Sequence, residues 1–133
     1  MAGEKILVVE DNMVNRRLVE FLLRSKGYRV LQATAALEAF EILKTERPDL
    51  ILMDVQLPGM DGLEATRKLK ENPVTRDIPV VAVTSYAMKG DREKALAAGC
   101  VGYITKPIDT TTFIQEVAAH LADKIQHHGE KVR

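Results

Sequence analysis

The chain has 133 residues, the size of one ordinary domain whose core is large enough to fold without disulfide or metal staples. Hydrophobic residues make up 46% and charged residues 29%, which is typical of a folded globular protein and not of a disordered one. The formal net charge is zero. This balance argues against a nucleic-acid-binding surface, which needs a basic excess on one face.

The single cysteine, Cys100, has no partner for an intramolecular disulfide, and this favours a reducing compartment. We interpret Cys100 as a small buried hydrophobic residue, because neither a histidine nor an acid flanks it. The apolar run at residues 6–9 is too short for a signal peptide or a membrane span. The sequence therefore predicts a cytoplasmic protein that binds neither nucleic acid nor membranes.

The first strand and helix are predicted from residue 5 onward. Lys5–Val9 reads as a buried strand, and either Asp11 or Asn12 can cap the helix that follows it. Gly27 supplies the stop signal for this helix. The residues that fall at helical spacing within it are Val14, Leu18, Phe21, Leu22 and Ser25.

A second strand and helix lead to a buried third strand. Residues 28–33 alternate and predict a strand near a sheet edge, and residues 35–46 predict a helix that Pro48 closes. The apolar run at 50–53 predicts a buried strand, and Asp54 stands where this strand emerges into a loop. The large apolar residues of the second helix are Leu37, Phe40, Ile42 and Leu43.

The loop after Asp54 contains Pro58 and Gly59, which prevent the strand from continuing. A helix is predicted over residues 63–71, with Asp61 as its cap and Leu63, Thr66 and Leu69 facing inward. A fourth apolar strand at 78–83 then stops at two hydroxyl residues, Thr84 and Ser85.

The last third of the chain begins with a weak helix over residues 87–98, whose main large apolar residues are Met88 and Leu96. We expect this helix to be mobile or to form a partner surface. Residues 101–105 predict the fifth strand, and residues 110–125 predict a strongly amphipathic helix. We expect one domain over residues 1–126 and a polar, frayed tail over residues 127–133.

Five strands that alternate with five helices predict an α/β protein with a doubly wound parallel sheet. We expect the flavodoxin-like strand order 2-1-3-4-5, in which ligands bind at the carboxyl ends of the strands. The polar residues predicted at that edge are Glu10, Asp11, Asp54, Thr84 and Lys106.

Three carboxylates at one edge repel one another, so a bound cation is the simplest neutraliser, and oxygen ligands favour Mg²⁺. Without the ion, at least one carboxyl should have a raised pKa. A carboxylate such as Asp54 can attack phosphorus when Mg²⁺ and the Lys106 ammonium neutralise the transferring oxygens. Thr84 can donate a hydrogen bond to the phosphoryl group. The set is therefore complete for phosphoryl transfer to Asp54.

Each of these residues also has an ordinary structural interpretation. Capping and metal binding are about equally plausible for Asp11 taken alone. Lys106 alone would more often be a solvated surface lysine, and Thr84 alone a cap or turn residue. Their joint occurrence at one predicted edge favours the functional interpretation.

The chain resembles the receiver domain of two-component response regulators over residues 4–125. Any one of the matching motifs is weak evidence, but four of them in the right order and spacing are highly specific. They are Val-Val-Glu-Asp-Asn at 8–12, Leu-Met-Asp-Val-Gln-Leu-Pro-Gly-Met-Asp-Gly at 52–62, Ala-Val-Thr-Ser at 82–85 and Tyr-Ile-Thr-Lys-Pro-Ile at 103–108.

The resemblance implies that Asp54 accepts a phosphoryl group from a histidine kinase or a histidine phosphotransfer protein. It implies a Mg²⁺ site made of Glu10, Asp11, Asp54 and the backbone carbonyl of Gln56, with Lys106 on the phosphoryl group. Thr84 and Tyr103 would form the switch pair that changes the protein-binding face of the fourth helix, fifth strand and fifth helix. Gln56 and Tyr86 occupy positions that affect phosphate lifetime in this family.

Two further motifs point to subfamilies. Asp11-Asn12 followed by Asn15-Arg16 is similar to receivers attached to hybrid kinases, whereas residues 80–91 closely resemble single-domain DivK-type regulators of bacterial cell division. No output domain follows the last predicted helix in this sequence, and we favour the single-domain interpretation. We expect no enzyme activity beyond self-phosphotransfer and autodephosphorylation.

Two other classes of protein compete with this interpretation. A Mg²⁺-dependent phosphatase with an aspartate nucleophile usually has a second acid two residues later, where this chain has Gln56. A flavin-binding module of the same fold lacks the phosphate-cradling loop expected after the first strand.

Overall fold

The computed structural model describes residues 3–85 and 89–132, the last ten of them by their backbone alone. Strands and helices alternate along the chain, as predicted. The strands are β1 (Lys5–Val9), β2 (Arg29–Ala33), β3 (Leu50–Asp54), β4 (Val80–Thr84) and β5 (Gly102–Thr105). The helices are α1 (Met13–Ser25), α2 (Ala36–Ile42), α3 (Gly62–Glu71), α4 (Asp91–Ala98) and α5 (Phe113–Val132).

The five strands form one parallel sheet in the order β2-β1-β3-β4-β5, which confirms the predicted topology and the edge position of β2. In the register of the sheet, Val9 pairs with Met53 and Asp54 pairs with Val83. Glu10, which follows Val9, therefore lies level with Asp54 at the carboxyl edge.

Alternate residues of the strands divide the core into two layers, because successive side chains point to opposite faces of the sheet. One layer packs against α2, α3 and α4, and its members include Leu7, Val9, Ile51, Met53, Ala39, Ala65, Leu69 and Ala95. The other packs against α1 and α5, and its members include Ile6, Val8, Leu50, Leu52, Val19, Leu23, Phe113, Val117 and Leu121. Cys100 lies buried in the first layer, as predicted.

The apolar face predicted for α1 is only partly the face that packs against the sheet, because Leu18 and Leu22 are half-buried and Leu22 packs against the core. Val14 and Phe21 are 72% and 70% exposed, whereas Val19 and Leu23 are buried. Both sets recur at helical spacing, and the buried set is the one that meets Phe113 of α5. The apolar period alone was therefore wrong for Val14 and Phe21 and missed Val19 and Leu23.

Of the large apolar residues predicted for the second helix, Leu43 is buried and Phe40 and Ile42 are half-buried against the core, but alanines take the other buried positions of α2 and α4. Leu37 and Leu96 are exposed, whereas Ala36 and Ala39 of α2 are buried. In α4 the buried residues are Ala95 and Ala98. Small side chains let a helix approach the sheet closely, so size is a poor guide to burial here. Met88, the other large residue predicted for α4, lies outside the described residues.

Helix α5 begins at Phe113 instead of residue 110 and continues to Val132, beyond the predicted end at 125. Side chains after Ala122 lie outside the described residues, so the domain boundary at residue 126 stays a prediction. Within the described part of the chain, no helix has both the length and the apolar character that crossing a membrane requires.

Candidate functional site

Polar residues converge at the carboxyl edge of the sheet, where four adjacent strands end. Glu10 and Asp11 follow β1, Asp54 ends β3 and Thr84 ends β4. Lys106 follows β5, and its backbone N–H donates to the carbonyl of Thr84 at 2.7 Å. The structure therefore brings all five of the polar residues predicted for this edge to one place.

The three acids of this edge form a compact cluster. One carboxylate oxygen from each of Glu10, Asp11 and Asp54 lies within 4.8 Å of the others. Glu10 and Asp54 are 4% and 2% exposed, whereas Asp11 is exposed. Two carboxylates are thus removed from water, and the third lies at the opening.

Lys106 bridges the two buried acids. Its Nζ donates to Asp54 Oδ2 at 3.0 Å and lies 3.0 Å from Glu10 Oε1. The peptide bond between Lys106 and Pro107 is cis. The ammonium group thus lies within the acidic cluster and not on the solvated surface.

The electrostatic environment displaces the pKa values of both partners. Burial raises the pKa of Glu10, and the neighbouring Asp54 carboxylate raises it further, against the opposite effect of Lys106. This confirms the expectation that one carboxyl of the cluster has a raised pKa in the absence of a cation. Burial by itself would lower the pKa of Lys106, but Glu10 and Asp54 outweigh it and raise that pKa.

The loop between β1 and α1 leaves Asp11 available as a ligand. Asn12, and not Asp11, caps α1, because its side chain accepts a hydrogen bond from the Asn15 N–H at 2.9 Å. The Asn12 N–H in turn donates to Glu10 Oε2 at 3.1 Å. The choice between the two predicted caps is therefore resolved in favour of Asn12.

Gly62, the first residue of α3, lets the helix pass close behind Asp54. A Cβ atom at this position would lie 2.1 Å from the Asp54 carbonyl oxygen and 2.9 Å from Met53 Cγ. Asp61 caps the helix through the Glu64 N–H at 2.9 Å, as predicted. The sequence contained Gly62 within a motif, but gave no reason for a small residue there.

Gln56 contacts Asp54 through its backbone and Ser85 through its side chain. Its backbone N–H donates to Asp54 Oδ1 at 3.0 Å, and its side-chain Oε1 accepts from Ser85 Oγ at 3.0 Å. The Gln56 Nε2 atom is buried without a hydrogen-bond partner among the described residues. The contact with Ser85 was not foreseen, because no local pattern links residues so far apart in sequence.

The predicted switch pair lies on β4, which neighbours the strand of Asp54, and on β5, the next strand beyond it. Thr84 is 4% exposed, and Tyr103 is half-buried on β5, where it pairs with Ala82 in the register. Burial and the nearby Asp91 carboxylate of α4 raise the pKa of the Tyr103 hydroxyl. Tyr86, the second residue assigned to phosphate lifetime, lies outside the described residues.

The donor set fits a hard divalent cation. Three carboxylates gather without a histidine or cysteine in the group, and carboxylate oxygens are the ligands that Mg²⁺ prefers. The buried and mutually repelling pair of Glu10 and Asp54 also leaves negative charge that Lys106 alone does not balance. The same residues offer no site for a soft metal.

Comparison with known proteins gives a consistent result. Residues 6–118 match the model of the response regulator receiver domain family. The chain is 44% identical over 120 residues to the polar-differentiation response regulator DivK of Brucella anthropi, covering 90% of this chain and 98% of that protein.

Solved structures show the same likeness. The receiver domain of the sensor histidine kinase PA1611 from Pseudomonas aeruginosa PAO1, which has a magnesium ion in its active-site cleft, is 40% identical with a TM-score of 0.80. The match covers 94% of this chain and 99% of that one. A CheY-like receiver domain protein from Methanospirillum hungatei JF-1 has a TM-score of 0.86 at 26% identity, covering 95% and 99% of the two chains.

Proposed function

Because the chain belongs to the response regulator receiver domain family, we propose that it is a single-domain response regulator whose Asp54 accepts a phosphoryl group. The donor is the phosphohistidine of a histidine kinase or a histidine phosphotransfer protein. The observation that carries this proposal is the buried Asp54 carboxylate, which lies in a three-acid cluster with Lys106 Nζ 3.0 Å from its Oδ2.

The transfer step uses groups already present at the edge. A carboxylate oxygen of Asp54 attacks phosphorus, a new P–O bond forms as the P–N bond to the donor breaks, and the departing imidazole nitrogen keeps the electron pair. Lys106 holds positive charge beside Asp54 Oδ2. The Thr84 hydroxyl donates to a phosphoryl oxygen once the group is attached.

Glu10, Asp11, Asp54 and the backbone carbonyl of Gln56 would hold Mg²⁺. The ion would neutralise charge on the transferring oxygens, which is the main electrostatic requirement of phosphoryl transfer. Because Lys106 already contacts Glu10 and Asp54, its ammonium group would share their negative charge with a bound ion. Asp11, the exposed member of the three acids, would supply a ligand that is open to solvent.

The direct test is phosphorylation of Asp54→Asn with acetyl phosphate and Mg²⁺, followed by intact-protein mass spectrometry. We expect the wild type to gain one acid-stable, base-labile phosphoryl group and Asp54→Asn to gain none. Asp61→Asn is the matched control, because Asp61 is an exposed helix cap outside the cluster. A phosphoryl group on Asp54→Asn would show that the acceptor is a different residue.

The hydrolysis of small phosphoesters in the presence of Mg²⁺ distinguishes a receiver from an aspartate-nucleophile phosphatase. A receiver takes up one phosphoryl group and releases it slowly, so phosphate release stays close to one equivalent per cycle of loading. Gln56 stands where such phosphatases place their second acid, and it cannot act as a general acid or base. Steady turnover of small phosphoesters would contradict our proposal.

We propose that the output surface is the face formed by α4, β5 and α5. Tyr103 lies on β5 with the charge of Asp91, the first residue of α4, beside it. Helix α4 is short, and the residue before it, Gly90, provides no side-chain cap. A phosphoryl group on Asp54 that draws the Thr84 hydroxyl toward it would free space for the Tyr103 ring, and the active state is favoured only through such differential contacts.

This switch is tested by NMR with beryllofluoride and Mg²⁺. We expect beryllofluoride to change the amide chemical shifts of α4 and β5 in the wild type. In Thr84→Ala we expect these changes to be lost even though beryllofluoride still binds. A variant that keeps the full set of shifts would contradict the proposed role of Thr84. The matched control is Thr45→Ala, because Thr45 lies on an exposed turn after α2.

The proposed setting is the cytoplasm, where the buried free thiol of Cys100 stays reduced. The proposed unit is residues 1–126, with residues 127–133 as a tail. A receiver from a hybrid kinase is the second candidate, because the chain is also 40% identical to the PA1611 receiver, although its identity to DivK is higher at 44%. Phosphotransfer profiling against purified kinases distinguishes them, because a hybrid receiver prefers its own kinase whereas a single-domain regulator accepts from separate kinases.

A further inference from the structure

Arg16, in the first turn of α1, reaches back to the loop that carries two of the acids. Its Nη1 donates to the backbone carbonyl of Glu10 at 3.0 Å and lies 3.5 Å from the carbonyl of Asp11. Its Nε donates to the side-chain Oε1 of Gln32 on β2 at 3.1 Å. One half-buried guanidinium thus links the acidic loop, α1 and the edge strand.

We propose that Arg16 is a positioning residue for the metal site. It holds the backbone of Glu10 and Asp11 so that their carboxylates point into the cluster. The inference rests on the Mg²⁺ site of the proposed function, but it concerns how strongly the ion binds and not which residue is phosphorylated.

The acidic loop needs such a restraint because its charges repel one another. The ladder of the sheet still holds Glu10, whose N–H donates to the Ala33 carbonyl at 2.9 Å. Beyond that bond, the chain turns away from β2 toward α1, while the carboxylates of Glu10, Asp11 and Asp54 lie within 4.8 Å. Arg16 binds the carbonyls on the far side of the same residues, where it occupies none of the carboxylate oxygens that would bind the ion.

Gln32 fixes the plane of the guanidinium. Gln32 pairs with Val8 in the register of β1 and β2, two residues before Glu10, so it is anchored in the sheet. An arginine offers several N–H donors in a rigid fork, and here one edge of the fork binds Gln32 and another binds the loop. A lysine ammonium carries the same charge but cannot reproduce this planar bridge.

Charge and position make opposite predictions for removal of Arg16. A positive charge near the cluster repels a second cation, so its removal should tighten Mg²⁺ binding if charge dominates. Arg16 also lies near Glu38, whose pKa is lowered chiefly by hydrogen bonds from the Thr34 N–H and hydroxyl and to a smaller extent by the charge of Arg16. If positioning dominates, the same removal weakens Mg²⁺ binding, and the direction of the change decides between the two.

The test is the Mg²⁺ dissociation constant of the full chain by isothermal titration calorimetry, repeated with Mn²⁺ by electron paramagnetic resonance. We expect Arg16→Met to weaken binding about 10-fold, the lower end of the effect of residues that orient metal ligands. We expect Arg16→Lys to recover only part of this loss. The control Arg17→Met removes a neighbouring exposed charge from the same helix and should leave the constant unchanged.

Gln32→Met provides a second and independent variant. It removes the acceptor that orients Arg16, and we expect Mg²⁺ binding to weaken about threefold, the size of one ordinary hydrogen bond. Because the two residues act through one bridge, the double variant Arg16→Met/Gln32→Met should bind Mg²⁺ no more weakly than Arg16→Met alone. Circular dichroism in EDTA verifies that each variant is folded. If Arg16→Met does not fold, Gln32→Met still tests the inference.

Unchanged or tighter binding in Arg16→Met, or full recovery in Arg16→Lys, would overturn the inference. The rate at which acetyl phosphate phosphorylates Arg16→Met should rise as the Mg²⁺ concentration is raised past the wild-type requirement, because the residue affects occupancy of the metal site. Failure of this inference differs from failure of the proposed function, which would be indicated by a phosphoryl group on Asp54→Asn or by steady turnover of small phosphoesters.

Discussion

Two half-buried lysines lie at opposite ends of the strands, and their hydrogen-bond partners differ. Lys106, at the carboxyl edge, contacts the carboxylates of Glu10 and Asp54. Lys70, at the end of α3, donates to the backbone carbonyls of Arg76 and Ile78 at 3.0 and 2.7 Å, next to the start of β4. The pKa of Lys70 is lowered because burial disfavours its charge, whereas the two carboxylates raise the pKa of Lys106.

The comparison shows that burial of a lysine does not by itself mark a functional site. Neutral carbonyls satisfy Lys70, and its ammonium closes the turn that precedes β4. Lys106 instead shares charge with acids whose mutual repulsion must be balanced in each state of the site. The first arrangement stabilises the fold, and the second leaves charge available for a ligand.

The largest expected difference between the two edges is in phosphoryl uptake. Lys106→Met removes the only ammonium that the described residues place on Asp54, and we expect the rate with acetyl phosphate to fall about 100-fold or more. Lys70→Met is the matched control and should keep the wild-type rate. The measurement is the time course of phosphorylation by mass spectrometry. Equal rates for the two variants would contradict a role for Lys106, and not Lys70, in phosphoryl uptake.

The second prediction compares two glycines, one behind Asp54 and one beside Lys70. A Cβ atom at Gly62 would meet the backbone of Asp54, whereas one at Gly99 would lie 2.6 Å from Cγ of the flexible Lys70 side chain. Because backbone cannot yield as a side chain can, we expect Gly62→Ala to lower the free energy of unfolding by about 3 kcal/mol and to reduce phosphoryl uptake.

Gly99→Ala should lower the free energy of unfolding by about 1–2 kcal/mol, chiefly because its φ of +111° disfavours a side chain, and should leave phosphoryl uptake intact. Urea denaturation of both variants gives the two energies. A smaller loss in Gly62→Ala than in Gly99→Ala would contradict the close approach of α3 to Asp54.

The third prediction concerns the structural lysine. Lys70→Met removes two hydrogen bonds to carbonyls but keeps most of the aliphatic stem, and we expect a loss of about 1–3 kcal/mol in the free energy of unfolding. Lys68→Met on the exposed side of the same helix should change it by less than about 0.5 kcal/mol. A Lys70→Met protein as stable as the wild type would show that these bonds contribute little.

The strands and the site were predictable because the same feature marks both. Apolar runs such as Leu50–Met53 end at polar residues such as Asp54, and a parallel sheet brings those ends together. The predicted edge position of β2 also follows from its alternating pattern. A local pattern was sufficient wherever burial on both faces forces a continuous apolar strand.

The helix faces and the contacts within the site were not predictable in the same way. In α1, Val19 and Leu23 compete with Val14 and Phe21 for the buried face, and only packing against α5 selects between them. The contact of Lys106 with Glu10 joins residues from the two ends of the chain. Such contacts depend on side-chain geometry across three strands, which no local spacing encodes.

The smallest expected effect is the pH dependence of stability at the carboxyl edge. The pKa of Glu10 in the folded protein lies above the ordinary value of 4.5, so the folded state holds its proton more strongly than the unfolded state does. The stabilisation from protonated Glu10 is therefore complete below pH 4.5 and is lost as the pH rises through the folded pKa. Glu10→Gln cannot ionise and has no such loss.

In EDTA, thermal denaturation should show that the advantage of Glu10→Gln over the wild type grows between about pH 4 and pH 7, by about 1.4 kcal/mol for each unit by which the pKa is displaced. Mg²⁺ should reverse this order at pH 7, because the ion binds ionised Glu10 and stabilises the wild type by mass action. Glu64→Gln, on the outer side of α3, should show neither change. A constant difference across this pH range would mean that Lys106 already neutralises the charge of ionised Glu10, so that the folded state does not favour the protonated carboxyl.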